Sequence, residues 1–200
     1  LFYIILAKQF SCSQFSVEQD YVIIRKGGLY YLHEWNRTIE DEEWIIPDEI
    51  DGKPISGLSS GFTLSQTSVK KIYVPKGITA IETGALFNFK NLEEVEVDNT
   101  NPQYYSDNEG VLYSKSLNDL IYYPRAKKET TYNINSNTKL ISDNAFNAVK
   151  YLSSVDIGNV EYIGEKAFYK SINILDITGG SNLKWVDLDA FVETKFFANN

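Results

Sequence analysis

The sequence has almost none of the residues that build metal centres and disulfide frameworks. Its 200 residues include one cysteine (Cys12), one histidine (His33) and no methionine. One cysteine excludes a disulfide framework, and one thiol with one imidazole excludes a closed Cys/His zinc site. Positive charge is also scarce: the formal net charge of −8 disfavours non-specific binding to nucleic acid or to an anionic membrane.

A hydrophobic run long enough to cross a membrane is also missing. The N-terminal run Leu1–Ala7 has seven residues, whereas a transmembrane helix needs about 20. Two interpretations of this run stay open: a remnant of a secretory signal, or an edge strand of the folded domain. The following "FSCS" is faintly similar to the end of a bacterial lipoprotein signal, which would place a lipid anchor on Cys12. Lys8 argues against that interpretation, because such a signal is apolar at this point.

A repeated phrase dominates the rest of the chain. "SDNAFNAVKYLSSVDI" is followed 22 residues later by "GEKAFYKSINILDI". Aliphatic anchor residues recur at intervals of 23, 60, 22 and 23, where 60 equals 23 plus an insertion of 37. The pattern Leu-x-x-Leu-x-Leu at this period is typical of leucine-rich repeats. The anchors are Leu58, Ile81, Ile141, Ile163 and Val186.

This pattern predicts a β-dominated leucine-rich-repeat solenoid. Each unit contributes one short strand, and equivalent strands stack into a parallel sheet with rungs about 4.8 Å apart. The Ala-Phe blocks between strands predict one or two turns of helix. Phe146, Phe168 and Phe191 are expected to stack in the core, so Phe146 and Phe168 should be almost fully buried.

The sequence divides into an N-terminal segment, residues 1–43, and a solenoid over residues 44–200. The first contains a predicted hairpin, "YVIIRKGGLYYL" (21–32), which turns at Gly27-Gly28 and belongs to a β cap. The insertion, at about residues 101–124, contains "GVLY" and "LIYYP" around a turn-forming "SKSLND". It predicts a second hairpin that projects from the solenoid.

Several segments together resemble the BspA-like leucine-rich repeats found mainly in bacterial surface proteins: "IIPDEIDGKPISGL", "VPKGITAI", "IGEKAF" and the insertion "GVLYSKSLNDLIYYP". The resemblance covers about residues 44–200. It implies a cell-surface or secreted, extracellular binding protein, often an adhesin toward host proteins or other microbes. The family carries no catalytic residues, so the resemblance implies neither an enzyme nor a cofactor.

The outward side chains of the stacked strands form the candidate binding face. Alternation of side chains along a strand places charged, hydroxyl and aromatic groups on this face. Such a face would recognise a protein ligand by charge complementarity, although it is also the ordinary solvated side of a sheet. The candidates are Lys70, Lys71, Tyr73, Glu93, Glu94, Glu96, Asn133, Asp156 and Asp176.

The tyrosine-rich insertion supplies a tenth candidate, Tyr122. Tyrosine is favoured at interfaces for its large amphipathic surface. Alternation predicts that one of Tyr122 and Tyr123 is packed and the other exposed.

No group of residues in the sequence indicates a catalytic site. Glu96 and Asp156, two predicted rungs apart, approach the spacing of an inverting glycosidase, but an open sheet does not raise the pKa of a general acid. The oxygen-rich segment "SDNEG" is better explained by turn formation than by a calcium site. We therefore predict no catalytic residue and no metal site.

The sequence of the C-terminal end leads to two further predictions. After Ala190-Phe191 the expected next strand does not follow, and Phe196 and Phe197 would lie at an uncapped end. The absence of methionine and this open end suggest a piece of a longer repeat array, which would associate end to end. Three hypotheses for the function remain: a protein-binding adhesin, a structural spacer, or an accessory region of a carbohydrate-active enzyme.

Overall fold

The computed structural model describes residues 4–5, 20–37, 39, 41–64 and 68–199, and of residues 4, 5 and 199 only the backbone. Eighteen short strands and one helix follow each other in this part of the chain. Their bounds are β1 Ile4–Ile5, β2 Tyr21–Lys26, β3 Leu29–Trp35, β4 Glu43–Ile45, β5 Glu49–Ile50, β6 Lys53–Leu64, β7 Lys71–Val74, β8 Ala80–Ile81, β9 Glu94–Val97, β10 Tyr104–Ser106, β11 Leu112–Ser114, β12 Asp119–Tyr122, β13 Thr131–Asn133, β14 Leu140–Ile141, β15 Ser154–Asp156, β16 Tyr162–Ile163, β17 Asp176–Thr178, β18 Trp185–Val186 and α1 Lys195–Asn199.

Two stacks of parallel strands run along the molecule. The first stack consists of β4-β7-β9 and β13-β15-β17, the strands predicted from the Leu-x-x-Leu-x-Leu pattern. The second consists of β3-β6-β8 and β12-β14-β16-β18. The chain therefore winds as a β-dominated leucine-rich-repeat solenoid, and the predicted fold class is confirmed.

The core contains the predicted column of aromatic rings. Phe146 stacks on Phe168 with 4.7 Å between ring centroids, and Phe168 stacks on Phe191 at 4.9 Å. Phe146 and Phe168 are fully buried, as predicted, and Leu86, at the equivalent position of an earlier unit, is also buried. Rings from adjacent units thus remove each other's faces from water.

The Ala-Phe blocks are hydrogen-bonded turns and not the predicted turns of helix. The amides of Asn144, Phe146 and Ala148 donate to carbonyls of the next unit, at Glu165, Ala167 and Tyr169. An α-helix needs those amides for its own carbonyls, so this ladder between units and a helix exclude each other. Asn144 and Ala148 also have φ angles of 61° and 55°, which interrupt helical geometry.

The N-terminal segment contains the predicted hairpin. Strands β2 and β3 pair in antiparallel fashion across the turn at Gly27-Gly28, and β3 continues into the second stack beside β6. Strand β1 pairs with β2 at the outer edge of the same sheet, so the backbone of Ile4 and Ile5 agrees with the edge-strand interpretation. Cys12, the candidate for a lipid anchor, lies outside the described residues.

The insertion does not project from the solenoid as predicted. Strands β11 and β12 do form an antiparallel hairpin, but β12 also pairs in parallel with β14 and so begins the second stack beyond the insertion. Tyr113 and Tyr123 are fully buried. The inserted residues thus form an irregular rung inside the stack, because their apolar and aromatic side chains fill the core between two units.

The prediction that one of Tyr122 and Tyr123 is exposed is wrong. Both side chains are buried, with 7% and 0% of their surface accessible. Strand β12 ends at Tyr122, so the alternation of sides stops there. Tyr122 then packs in the core of the preceding units and Tyr123 in the core of the following ones.

At the C-terminal end, the two phenylalanines behave differently. Phe196, in α1, packs its ring 5.3 Å from that of Phe191 and donates its amide to the carbonyl of Ile174. Phe197 remains 59% exposed. The short helix α1 therefore covers only part of the last rung.

Candidate functional site

The first stack presents its outward side chains to solvent, and we call this surface the strand face. The structure places nine of the ten predicted residues there: Lys70, Lys71, Tyr73, Glu93, Glu94, Glu96, Asn133, Asp156 and Asp176, all exposed or half-buried. Tyr122 is the exception. Because it is buried and its hydroxyl donates to the carbonyl of Leu86 at 3.3 Å, it cannot contact a ligand on a free surface.

Lys71 is the centre of the charge network on this face. Its Nζ lies 2.6 Å from a carboxylate oxygen of Glu96, 3.3 Å from Glu94 and 3.7 Å from Glu43. These contacts join three adjacent rungs, β4, β7 and β9. The hydrogen bonds that the Lys71 ammonium donates to Glu96 and to Glu94 raise the pKa of Lys71 above its ordinary value. One ammonium therefore serves three carboxylates.

The neighbouring lysines each have a carboxylate partner. Lys70 pairs with Glu42 at 2.6 Å and Lys128 pairs with Glu93 at 3.0 Å. The charges along the strand face are therefore partly neutralised by ion pairs between rungs. Exposed pairs of this kind contribute at most about 1 kcal/mol each to stability, so they shape the potential of the face more than they hold the fold.

The strand face is not continuous. Strands β9 and β13 belong to separate three-stranded sheets, and the loop 107–110 of the insertion lies between them. The amide of Val95 in β9 donates to the carbonyl of Gly110 at 2.9 Å. Gly110 has a φ of 75°, and a Cβ atom there would lie 2.5 Å from the Glu94 side chain. Only glycine allows the loop to approach β9 this closely.

A cleft of about 340 Å³ opens at this break, and we call it the rung cleft. Residues from β9, the inserted loop and the segment before β13 form its walls. They are Glu93, Glu94, Asn108, Glu109, Lys127, Lys128 and Glu129. Sequence reasoning identified only Glu93 and Glu94. The charged run "RAKKE" before β13 was the available signal for Lys127, Lys128 and Glu129, but the place of this run on the strand face depends on how the insertion folds.

The break also increases the distance between Glu96 and Asp156, the two carboxylates whose predicted spacing approached that of an inverting glycosidase. Both the inserted loop and β13 lie between Glu96 on β9 and Asp156 on β15. Three rung spacings of about 4.8 Å place these side chains roughly 14 Å apart, beyond the range of either glycosidase geometry. This pair is therefore not a hydrolytic site.

The histidine has a serine partner that no sequence motif indicated. Nδ1 of His33 lies 2.7 Å from Oγ of Ser59, on the neighbouring strand β6. Ser59 is fully buried, so its hydroxyl cannot reach a substrate. Within the described part of the chain, no group of three or more histidine, cysteine or acidic side chains is arranged to hold a metal ion.

A second, smaller cavity lies at the same break on the other side of the solenoid. Its volume is about 110 Å³, and its walls include Ile81, Leu86, Phe87 and Ile121. The carboxylate of Glu82 at its rim is bound by Lys26 at 2.7 Å and by the amide of Ser60. The insertion therefore interrupts both stacks, with a polar cleft on one side and an apolar cavity on the other.

No helix among the described residues is long and apolar enough to cross a membrane. The chain matches the model of the BspA type leucine rich repeat region, with six copies over residues 60–197. No match is found among curated proteins.

Two solved structures are similar in fold and sequence. The pneumococcal vaccine antigen PcpA is 25% identical, with a TM-score of 0.57, over 76% of this chain and 44% of that one. A leucine rich cell surface protein from Faecalibacterium prausnitzii A2-165 is also 25% identical, with a TM-score of 0.52, over 68% of this chain and 40% of that one. This chain thus spans less than half the length of either structure.

Proposed function

Because this chain belongs to the family of BspA type leucine-rich repeat proteins, we propose that it is a non-enzymatic module that binds a protein ligand through its strand face. The observation that carries the proposal is the cluster of charges around Lys71, which is open to solvent and spans three rungs. A rigid stack of strands holds these groups at fixed spacings, so a ligand meets a preorganised pattern of charge.

We extend the proposal to the place of action, outside the cell or on its surface. The support is that one of the two similar structures is a cell surface protein and the other is a vaccine antigen. The ligand would then be a protein on a host cell or on another microbe. A role as an adhesin follows from this position together with the exposed face.

The test reverses charge on the strand face and captures proteins from host-cell and bacterial surface extracts. Glu93→Lys with Glu96→Lys should abolish capture without unfolding the chain, because both side chains lie on the face and neither is buried. The matched control is Glu165→Lys with Glu193→Lys, an equal change of charge on exposed turns. Capture by the wild-type protein should also weaken as salt rises, because exposed charges are screened within about 10 Å at 0.1 M.

Two results would contradict the proposal. Equal capture by the strand-face variant would show that the ligand binds elsewhere. Failure of every variant and of the wild type to retain any protein would favour the alternative function, a spacer whose stacked rungs hold other domains away from the surface. The stack of rungs, each contacting only its neighbours, is the observation that supports a spacer.

A further inference from the structure

Where two units meet, backbone hydrogen bonds join their Ala-Phe blocks or the equivalent residues, and one such junction lacks these bonds. The regular bond runs from the amide of the core aromatic residue to a carbonyl of the next unit over 2.7–2.8 Å: Tyr123 to Ala145, Phe146 to Ala167 and Phe168 to Ala190. By the same register, the amide of Leu86 should donate to the carbonyl of Tyr122. That bond is not made, and among the described residues the amides of Leu86 and Gly84 have no acceptor.

The side chain of Tyr122 gives the physical reason for the missing bond. The residue directly before the core aromatic ring is a fully buried alanine in the following units: Ala145, Ala167 and Ala190. In the inserted rung this residue is Tyr122, which packs in the core of the preceding units and donates its hydroxyl to the carbonyl of Leu86. Because a tyrosine needs much more room than an alanine, its side chain holds the two blocks apart.

The apolar cavity of about 110 Å³ lies at this junction. Gly84 and Leu86 line it from one unit, and Ile121 and Tyr122 line it from the inserted rung. Leu86 is only 3% exposed, so its unpaired amide is shielded from bulk water. Buried backbone donors are almost always paired in folded proteins, so this amide indicates an acceptor that comes from outside the chain.

The walls of the cavity indicate the chemistry of that ligand. Four apolar side chains line the cavity: Ile81, Leu86, Phe87 and Ile121. Since a cavity of about 150 Å³ with such walls takes benzene, one of about 110 Å³ suits an aliphatic group of roughly four carbons. The carboxylate of Asp143 also lines the cavity and has no lysine or arginine partner among the described residues. It disfavours an anion, so a neutral carbonyl is the acceptor that fits.

We propose that the apolar cavity binds an aliphatic side chain, of the size of leucine, from a peptide segment of a partner protein. A peptide carbonyl of that segment accepts hydrogen bonds from the amides of Leu86 and Gly84, in place of the carbonyl of Tyr122. Ligand pockets commonly combine apolar walls with a few fixed backbone donors of this kind. The cavity lies on the other side of the solenoid from the strand face, so this proposal goes beyond the proposed function and does not rest on it.

The test follows the amide resonances of the 200-residue chain by NMR while N-acetyl-leucinamide is added. This neutral probe carries an isobutyl group and two amide carbonyls. We expect saturable shifts at Leu86 and Gly84, with a Kd of about 1 mM for a ligand of this size. Two control probes should each bind at least about tenfold more weakly: N-acetyl-glutaminamide, whose side chain is polar, and N-acetyl-leucine, which is an anion.

A pair of matched variants locates the site. Ile121→Phe brings a larger side chain into the cavity from its wall and should weaken binding of the leucine probe at least about tenfold. Ile172→Phe is the same change at a residue that is 57% exposed and does not line the cavity, so it should alter binding less than about twofold. Hydrogen exchange of the free chain gives an independent measurement, because the unpaired amide of Leu86 should exchange faster than the paired amide of Phe146.

Three results would overturn the proposal. Equal binding of the leucine and glutamine probes would show that the cavity does not select an aliphatic group. No saturable shift at Leu86 and Gly84 would show that these amides bind no ligand carbonyl. Exchange at Leu86 as slow as at Phe146 would show that the backbone bond across the junction is made. All three measurements use the unaltered chain, so they decide the question even if Ile121→Phe fails to fold.

Discussion

At the scale of single residues, the phenylalanine of each repeat contributes by filling one position in a continuous column. Phe146 has a ring on either side, Tyr123 at 5.0 Å and Phe168 at 4.7 Å. Truncation at such a position leaves a cavity that the rigid neighbouring rungs cannot close, because each is held by its own ladder of hydrogen bonds.

We therefore expect Phe146→Ala to lower the free energy of unfolding by about 3–5 kcal/mol, and Phe168→Ala to do the same. The control is Phe197→Ala, at a side chain that is 59% exposed, which should change stability by less than about 0.5 kcal/mol. Urea unfolding followed by tryptophan fluorescence measures all three. A loss below about 1 kcal/mol in either core variant would show that the column does not support the fold as described.

At the scale of elements, the inserted rung replaces regular repeat contacts by a cluster of buried tyrosines. Tyr113 and Tyr132 share a hydrogen bond of 2.6 Å between their hydroxyls, and Tyr132 donates to Asp107 at 2.6 Å. Burial raises the pKa of Tyr113 to about 12 and that of Tyr132 further still. The folded chain therefore keeps these hydroxyls protonated at a pH where an unfolded chain would release the protons.

This predicts a loss of stability in alkali. The folded pKa values lie above the unfolded value of about 10, so the stabilisation is present below pH 10 and is lost as the pH rises toward 12. Unfolding free energies measured in urea from pH 8 to 12 should show this fall, and Tyr113→Phe should make it less steep. Tyr105→Phe, at a residue with 37% of its surface exposed, should leave the slope unchanged. A stability independent of pH up to 12 would refute the assignment.

At the scale of the whole molecule, exposed apolar side chains are concentrated at the C-terminal end of the solenoid. Of the thirteen large apolar residues that are most exposed, seven lie in the last rung and its flanks: Ile172, Leu175, Leu183, Trp185, Val186, Leu188 and Phe197. Strands β17 and β18 are the last strands of their stacks, so their outer edges remain unpaired among the described residues. Apolar surface and open strand edges in one place favour association.

We propose that this end mediates self-association of the 200-residue chain. Sedimentation at about 10–100 μM should show a monomer–dimer equilibrium, since association is driven by concentration. Trp185→Glu with Leu188→Glu should give a monomer, because a charge at each exposed site opposes burial. Leu29→Glu with Ile45→Glu, at exposed sites in the N-terminal half, should leave the dimer intact. A wild-type monomer throughout this range would contradict the proposal.

The repeat, the solenoid and the aromatic column could all be predicted from the sequence, because each depends on contacts between equivalent residues of adjacent units. Phe146 and Phe168 meet whenever the period is kept, so spacing alone predicts their burial. The strand face follows from the same register, since alternation decides which side of each strand reaches solvent.

The tertiary structure alone decided how the insertion is accommodated, and therefore where the rung cleft lies. Nothing in the local pattern of residues 101–124 distinguishes a projecting hairpin from an added rung, because both bury one side of each strand. The choice depends on whether Tyr113 and Tyr123 find space between two distant units. The conformation of the Ala-Phe blocks was also decided by the tertiary structure. These blocks have helical propensity, but their hydrogen bonds to the next unit outweigh it. Such bonds exist only once the units are stacked.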